Sequence, residues 1–251
     1  MTVILPTHKK GPIPFLMYGY GGFGVSVTPK FRLFHRLWLE AGGGLAFPNI
    51  RGGGENGQAW HLSATLENKQ RSFDDFTAAA EYLIRNELTT SEKLAIWGRS
   101  NGGLLVAAVA IQRPELFAAV LCAMPLSDML RYHLFGLGYL WMAEYGNPNQ
   151  TEMFSVLRAY SPYHNIVKSR VYPSMLIVGA ENDVRNDPIH ALKLAAQLIW
   201  AGRHRAGSNK TFLDIRQEGG HLTDLGLDLR ARYDSYSYAY LMKQLGLFPL
   251  K

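Results

Sequence analysis

The sequence predicts an α/β fold, a mostly parallel, doubly wound sheet with helices on both faces. Three observations carry that prediction. Strand-length apolar runs recur along the chain, helical patterns lie between them, and several runs are apolar at successive positions, as strands covered on both faces require. With 251 residues, 47% apolar and 18% charged, the chain is long enough for one large core, so a single globular domain over residues 1–251 is expected. The same composition, without strict triplets or sustained heptads, excludes disorder, collagen and coiled coil.

In chain order, residues 14–18, 44–48, 93–97, 118–123, 174–180 and 212–215 read as strands. Helical spacing marks residues 73–85, 103–112 and 189–200, the last with Pro188 suited to a first turn. Strand–helix–strand alternation of this kind implies right-handed crossovers and parallel pairing. From about residue 128 to 170 the pattern is less regular and crowded with aromatics, among them Tyr132, Phe135, Tyr139, Trp141 and Tyr145. That segment is expected to be an insertion over one edge of the sheet, lining a pocket.

Composition also bounds location and partners. The longest purely apolar run, residues 104–111, falls far short of the roughly 20 residues a membrane helix needs, and no membrane partner is expected. At the N-terminus the positive charge follows the apolar stretch, the reverse of a secretory signal, so the reading is cytoplasmic. The lone Cys122, in an apolar run, reads as a buried structural thiol compatible with a reducing compartment. A net charge of +6 could suggest nucleic acid, but the basic residues are spread along the chain. The densest group, Arg203-His204-Arg205, reads as a solvated loop, so no nucleic-acid partner is expected.

The sharpest local signal is Gly98-Arg99-Ser100-Asn101-Gly102, which follows a strand and opens a small-residue helix. That is the context of a nucleophile elbow: small neighbours allow a strained turn that pushes the serine hydroxyl out at the sheet edge. Ser100 is the candidate nucleophile, and the Asn101 amide a candidate oxyanion donor. A serine hydroxyl needs a base and a group to orient it, each expected later in the chain after a strand. After the strand at 174–180 come Glu181, Asp183 and Asp187, and spacing alone does not choose among the three; Asp187, before Pro188, also suits a helix cap. After the strand at 212–215 comes Gly219-Gly220-His221, the histidine with the right order and setting.

The remaining chemistry-bearing residues have structural readings. His61, His133, His164 and His190 lie among aromatic or helical residues and read as packing or surface groups; no metal-ligand pattern stands out. Asp74-Asp75 reads as the acidic start of a helix after Ser72, set against the helix dipole. Gly19-Tyr20-Gly21-Gly22-Phe23-Gly24 formally matches a dinucleotide-binding spacing, and with it an oxidoreductase, but β-branched residues and Pro29 follow where a helix is needed. Arg51-Gly52-Gly53-Gly54-Glu55 lacks the ending of a phosphate loop and reads as a tight loop bringing backbone close to another element.

With these motifs in hand the chain resembles the catalytic α/β-hydrolase domain of the prolyl oligopeptidase family. The resemblance runs from about His8 to the C-terminus. It rests on Tyr18-Gly-Tyr20-Gly-Gly-Phe23, Asn49-Ile-Arg-Gly-Gly-Gly-Glu55, Asn68-Lys-Gln, the Ser100 elbow, Tyr160-Ser-Pro, Tyr172-Pro-Ser-Met-Leu and Gly220-His221. It implies Ser100 as nucleophile, Asp183 as the acid and His221 as base, with the Tyr20 phenol as second oxyanion donor beside the Asn101 amide. It further implies that Trp141 stacks on a substrate proline ring, that Phe23 and Tyr145 complete an apolar pocket, and that Arg185 holds a substrate carbonyl. No cofactor is implied.

Two departures shape the expectation. Asn186 stands where the family usually has an apolar pocket residue, and family members carry a β-propeller over the active site, whereas this chain starts near the hydrolase domain. The expected function is a serine hydrolase cleaving short peptides or carboxylic esters through an open site, the alternative being a stand-alone carboxylesterase. Apolar surface near Trp141 suggests a homo-oligomer.

Overall fold

A computed structural model describes residues 1–7, 11–168, 170–202, 210–221 and 225–247. The Arg203-His204-Arg205 loop and residues 8–10 fall outside them. The described strands form one sheet: β1 (Thr2–Ile4), β2 (Phe15–Tyr18), β3 (Gly44–Phe47), β4 (Leu94–Arg99), β5 (Ala119–Ala123), β6 (Ser174–Ala180) and β7 (Thr211–Arg216). Their order is β1-β3-β2-β4-β5-β6-β7, parallel throughout except for β1, which pairs antiparallel with β3 at the edge. The chain runs one way from β2 to β3 and the other way from β4 to β5, so the order reverses between β2 and β4. Ligand sites of open α/β sheets lie at such a reversal, outside the carboxyl ends of the strands.

Side chains alternate strictly across the sheet. Phe15, Met17, Ile96, Val120, Cys122 and Ile177 join one buried cluster, and Leu16, Ala95, Leu121 and Val178 join the other. This period of two, with both faces apolar, explains why the strands read as continuous apolar runs. The first cluster is covered by α3 (Gln70–Arg85), α4 (Asn101–Gln112) and α7 (Ile189–Gly202), the second by α1 (Leu33–Glu40) and α8 (Leu227–Gln244). Helix α4 is buried from Asn101 to Ile111, so it is apolar all round rather than amphipathic.

Three readings are corrected. The segment from 128 to 170 is part of the core: Tyr132, Tyr145, Leu157 and Tyr160 join the first core cluster, Tyr160 edge-on to Phe73 of α3 at 5.2 Å. It also contains two helices, α5 (Met142–Tyr145) and α6 (Thr151–Tyr160). Asp75 does not open a helix, since α3 begins at Gln70; its carboxylate instead accepts from Arg51 N, Nε and Nη2 at 2.9, 2.8 and 2.6 Å. His61, on α2 (Gln58–Leu62), is neither packing nor free surface, and its partner is described below. Among the described residues no helix is long and apolar enough to cross a membrane.

His190, on α7, is buried for a structural purpose. Its Nδ1 accepts from the Ser127 and Asp128 amides at 3.2 Å each, which fixes the proton on Nε2. Burial lowers its pKa to about 4. Between that value and the ordinary 6.5 the unfolded chain holds a proton that the folded chain does not, so stability rises with pH across the window. Acidification from pH 6.5 to 4 is expected to cost on the order of 3 kcal/mol at this one group. Urea unfolding at pH 7 and 4.5 checks it: His190→Gln should show a shallower pH dependence than wild type, and equal dependence would clear His190.

Candidate active site

Four loops at the carboxyl edge of the sheet meet around Ser100. The elbow itself is set by crowding. Ser100 has φ 60° and ψ −122°, a conformation that costs a non-glycine residue about 1–3 kcal/mol. It is held by Ser100 N donating to Ala123 O at 2.9 Å and by Leu104 N donating to Ser100 O at 3.1 Å. A Cβ at Gly98 would stand 1.9 Å from Gly102 O, and one at Gly102 would stand 2.5 Å from Gly19 O. Only glycine permits strand, elbow and the loop after β2 to cross so closely.

The loops after β6 and β7 bring the other two groups. His221 Nε2 lies 3.0 Å from Ser100 Oγ, and His221 Nδ1 lies 2.7 Å from Asp183 Oδ2. Asp183 Oδ1 accepts from the Arg185 and Asn186 amides at 2.9 Å each, so all its acceptor capacity is aimed. Of the three carboxylates in this loop Asp183 is the one bonded to His221: Asp187 Oδ1 accepts from Ile189 N at 2.8 Å and caps α7, and Glu181 is exposed. Gly219, at φ 80°, turns the histidine loop, while Asn182 Nδ2 donates to Gln217 O at 3.0 Å and stitches the two loops together.

The loop at residues 19–24 supplies Tyr20. Burial raises its phenol's pKa above the ordinary tyrosine value, with the neighbouring Ser100 hydroxyl opposing. A hydroxyl held protonated in this way is a donor. Asn101 ties the loop to the elbow: its Nδ2 donates to Tyr20 O, and its Oδ1 accepts from Tyr145 Oη at 2.7 Å. The Asn101 amide lies in the first turn of α4, where N–H groups lack helical acceptors.

Phe23, Trp141 and Arg185 form a wall beside the elbow. Phe23 is edge-on to Trp141 at 5.6 Å, and the Arg185 guanidinium lies over the Trp141 ring at 5.2 Å. Among the described residues the buried Trp141 Nε1 donor meets no acceptor. Tyr145 stands behind this wall rather than in it, because it is fully buried, edge-on to Phe23, and its hydroxyl is spent on Asn101. Asn186 is buried too, its amide donating to Met124 O at 2.8 Å.

Sequence reasoning missed a buried ionic network beneath the loop. Lys69, with no exposed surface, donates to Glu144 Oε1 at 2.7 Å and to Gly21 O at 3.0 Å, and Glu144 Oε2 pairs with His61 Nε2 at 2.8 Å. Burial lowers the Lys69 pKa and Glu144 opposes it. The partners are 75 and 83 positions apart, so local sequence carries no signal of the pairing. Residues 51–55 pack on the same loop, Gly24 N donating to Gly52 O at 3.1 Å, as their tight-loop reading requires. No helix follows Gly24 before Leu33, which removes the dinucleotide reading.

A serine on such an elbow, at the carboxyl edge of a parallel sheet wrapped on both faces, makes the fold an α/β-hydrolase. Within that class the chain belongs to the prolyl oligopeptidase family, whose sequence pattern matches residues 29–247. It is 37% identical to a prolyl endopeptidase of Elizabethkingia miricola over 97% of this chain and 34% of that protein. A solved prolyl endopeptidase superposes with a TM-score of 0.89 at 42% identity, covering 96% of this chain and 34% of the other. A post-proline cleaving enzyme from Rickettsia typhi gives 0.87 at 36% identity, covering 94% and 34%. The chain thus spans about a third of the length of the relatives it matches.

Proposed function

We propose that this chain is a serine peptidase that cleaves short peptides after proline by an acyl-enzyme mechanism and also turns over simple carboxylic esters. The observation that carries the reading is the hydrogen-bonded series from Ser100 Oγ through His221 to Asp183, at 3.0 and 2.7 Å. Ser100 Oγ attacks the substrate carbonyl while His221 Nε2 takes its proton, and Asp183 holds the imidazole in the tautomer that can accept it. The new oxyanion receives hydrogen bonds from the Tyr20 hydroxyl and the Asn101 amide. Protonated His221 then gives its proton to the leaving amine or alcohol as the acyl–oxygen bond to Ser100 remains. Water, deprotonated by His221, hydrolyses that ester and frees the serine.

Specificity for proline rests on Trp141, whose ring, edge-on to Phe23, offers a flat face to a cyclic side chain. Arg185, over the same ring, offers a donor. Asn186 spends its amide on Met124 O, so its polarity is turned to the main chain, which supports a proline-accepting pocket. Burial pushes the Cys122 thiol far above its ordinary pKa, leaving an inert side chain suited to a cytoplasmic protein.

Two measurements on purified protein test the reading. A fluorophosphonate should label Ser100 stoichiometrically, as peptide mapping reads, and Ser100→Ala should not be labelled. Labelling that persists in the variant, or its absence from folded wild type, would sink the assignment. Paired assays on a p-nitrophenyl acyl ester and a proline chromogenic peptide should both give turnover. Ester cleavage without any peptide cleavage would leave a carboxylesterase.

A further inference from the structure

On the opposite face of the sheet from Trp141 and Phe23, a cavity opens behind the elbow, lined by Arg99 next to Ser100. It has a volume of about 210 Å³, well above the roughly 10–15 Å³ one ordered water needs. Its walls carry four guanidinium groups, Arg32, Arg99, Arg216 and Arg230, against one carboxylate, Asp234. Tyr238, from α8, completes it. Arg32 and Arg230 are exposed at the mouth, while Arg99 and Arg216 lie deeper.

The donors in this cavity are undersupplied with acceptors. Among the described residues Arg99 Nη2 and Tyr238 Oη are both buried with no hydrogen-bond partner, and Tyr238 is only 6% exposed. Arg216 is partly used, by Asp214 at 3.2 Å and Ser237 Oγ at 3.3 Å. Burial raises the Asp234 pKa, while Arg230, Arg216, Arg32 and Arg99 oppose the rise, so one lining carboxylate is set against four guanidinium groups. A buried donor left unmade is costly, more so when it is charged, and two residues that carry such donors stand in the walls of one cation-lined cavity, which calls for an acceptor-rich occupant.

We infer that the cavity behind the nucleophile, lined by Arg99, Arg216, Arg230 and Tyr238, is a binding site for a small oxyanion of the phosphate class. Planar guanidinium forks match tetrahedral oxyanions bidentately, and a tyrosine hydroxyl adds a neutral donor. The cavity is distinct from the peptide site. Tyr18, Trp97 and Tyr238 belong to the core cluster under α1 and α8, whereas Phe23, Trp141 and Tyr145 pack with the cluster under α3 and α4.

Inorganic phosphate is the probe, titrated into wild type by calorimetry and by thermal unfolding, with sodium chloride at matched ionic strength as reference. A saturable heat and a rise in Tm that chloride does not reproduce are expected. Affinity should fall about tenfold or more in Arg99→Gln and in Tyr238→Phe, the latter without loss of Tm in phosphate-free buffer because it removes an unpaired donor. Arg36→Gln, a surface arginine paired with Glu40, should bind as wild type does. No saturable binding by wild type would overturn the inference. So would wild-type affinity in Tyr238→Phe, which keeps the ring and so tests the site even if Arg99→Gln does not fold. Loss of binding in Tyr20→Phe would move the ion to the oxyanion donors and overturn it equally.

Discussion

Asp183→Asn is expected to lower kcat/KM by about 10³–10⁴-fold on ester and peptide alike while leaving Tm nearly unchanged. The direction follows from which way the new amide must face. The Arg185 and Asn186 amides both donate to Asp183 Oδ1, so an asparagine keeps its carbonyl oxygen there and turns its NH₂ toward His221. His221 Nδ1 then accepts instead of donating, Nε2 carries the proton, and the imidazole presents a donor to Ser100 where a base is needed. Asp187→Asn is the internal control, because asparagine caps a helix about as well as aspartate does and Asp187 touches only the start of α7. Steady-state kinetics should rank the two far apart. A larger loss at Asp187 would reassign the acid.

Tyr20→Phe should cost about 10²-fold in kcat with little change in KM, the loss of one donor to charge that develops only in the transition state. The ring stays and the hydroxyl goes, so packing of the loop is kept. Asn101 Nδ2 still holds Tyr20 O, and Lys69 still holds Gly21 O, which leaves the loop in place. Initial rates across a range of substrate concentrations separate the two parameters. A loss carried mainly by KM would make Tyr20 a wall of the substrate pocket instead.

Strands β2 to β6 were legible because each is buried on both faces, which writes a dense apolar run into the chain; β7, with Phe212 and Leu213 exposed, was legible from its apolar, β-branched residues alone. Edge strand β1 was not, since three residues paired on one side leave too short a run to stand out. Helix α8 escaped for a different reason: of Leu227–Gln244 only Ser237, Tyr238 and Leu241 are buried, so it has no apolar stripe. The elbow, His221 and the loop bearing Asp183 could be read from local motif and chain order, and the resemblance picked Asp183 from three carboxylates. What stayed hidden were contacts made by distant residues with ordinary local patterns. Lys69 sits in a polar stretch, His61 on a five-residue helix, and nothing near either hints at Glu144. Tyr145 was read as a pocket aromatic, whereas burial and its hydroxyl give it to Asn101.

The glycine crossing at the elbow bears on how such a protein could change over generations. Gly98, Gly102 and Gly19 set the distance between the Ser100 elbow and the Tyr20 loop by main-chain contact, while Phe23, Trp141 and Arg185 form their wall through side chains. Under the proposed mechanism, bond-breaking and substrate choice therefore rest on different kinds of contact, main-chain for the one and side-chain for the other. Substitutions at the wall can redirect which acyl group is accepted without disturbing the attack geometry, whereas a single methyl group at Gly98 or Gly102 would disable every substrate at once. Selection can thus vary the menu freely while the machinery stays fixed.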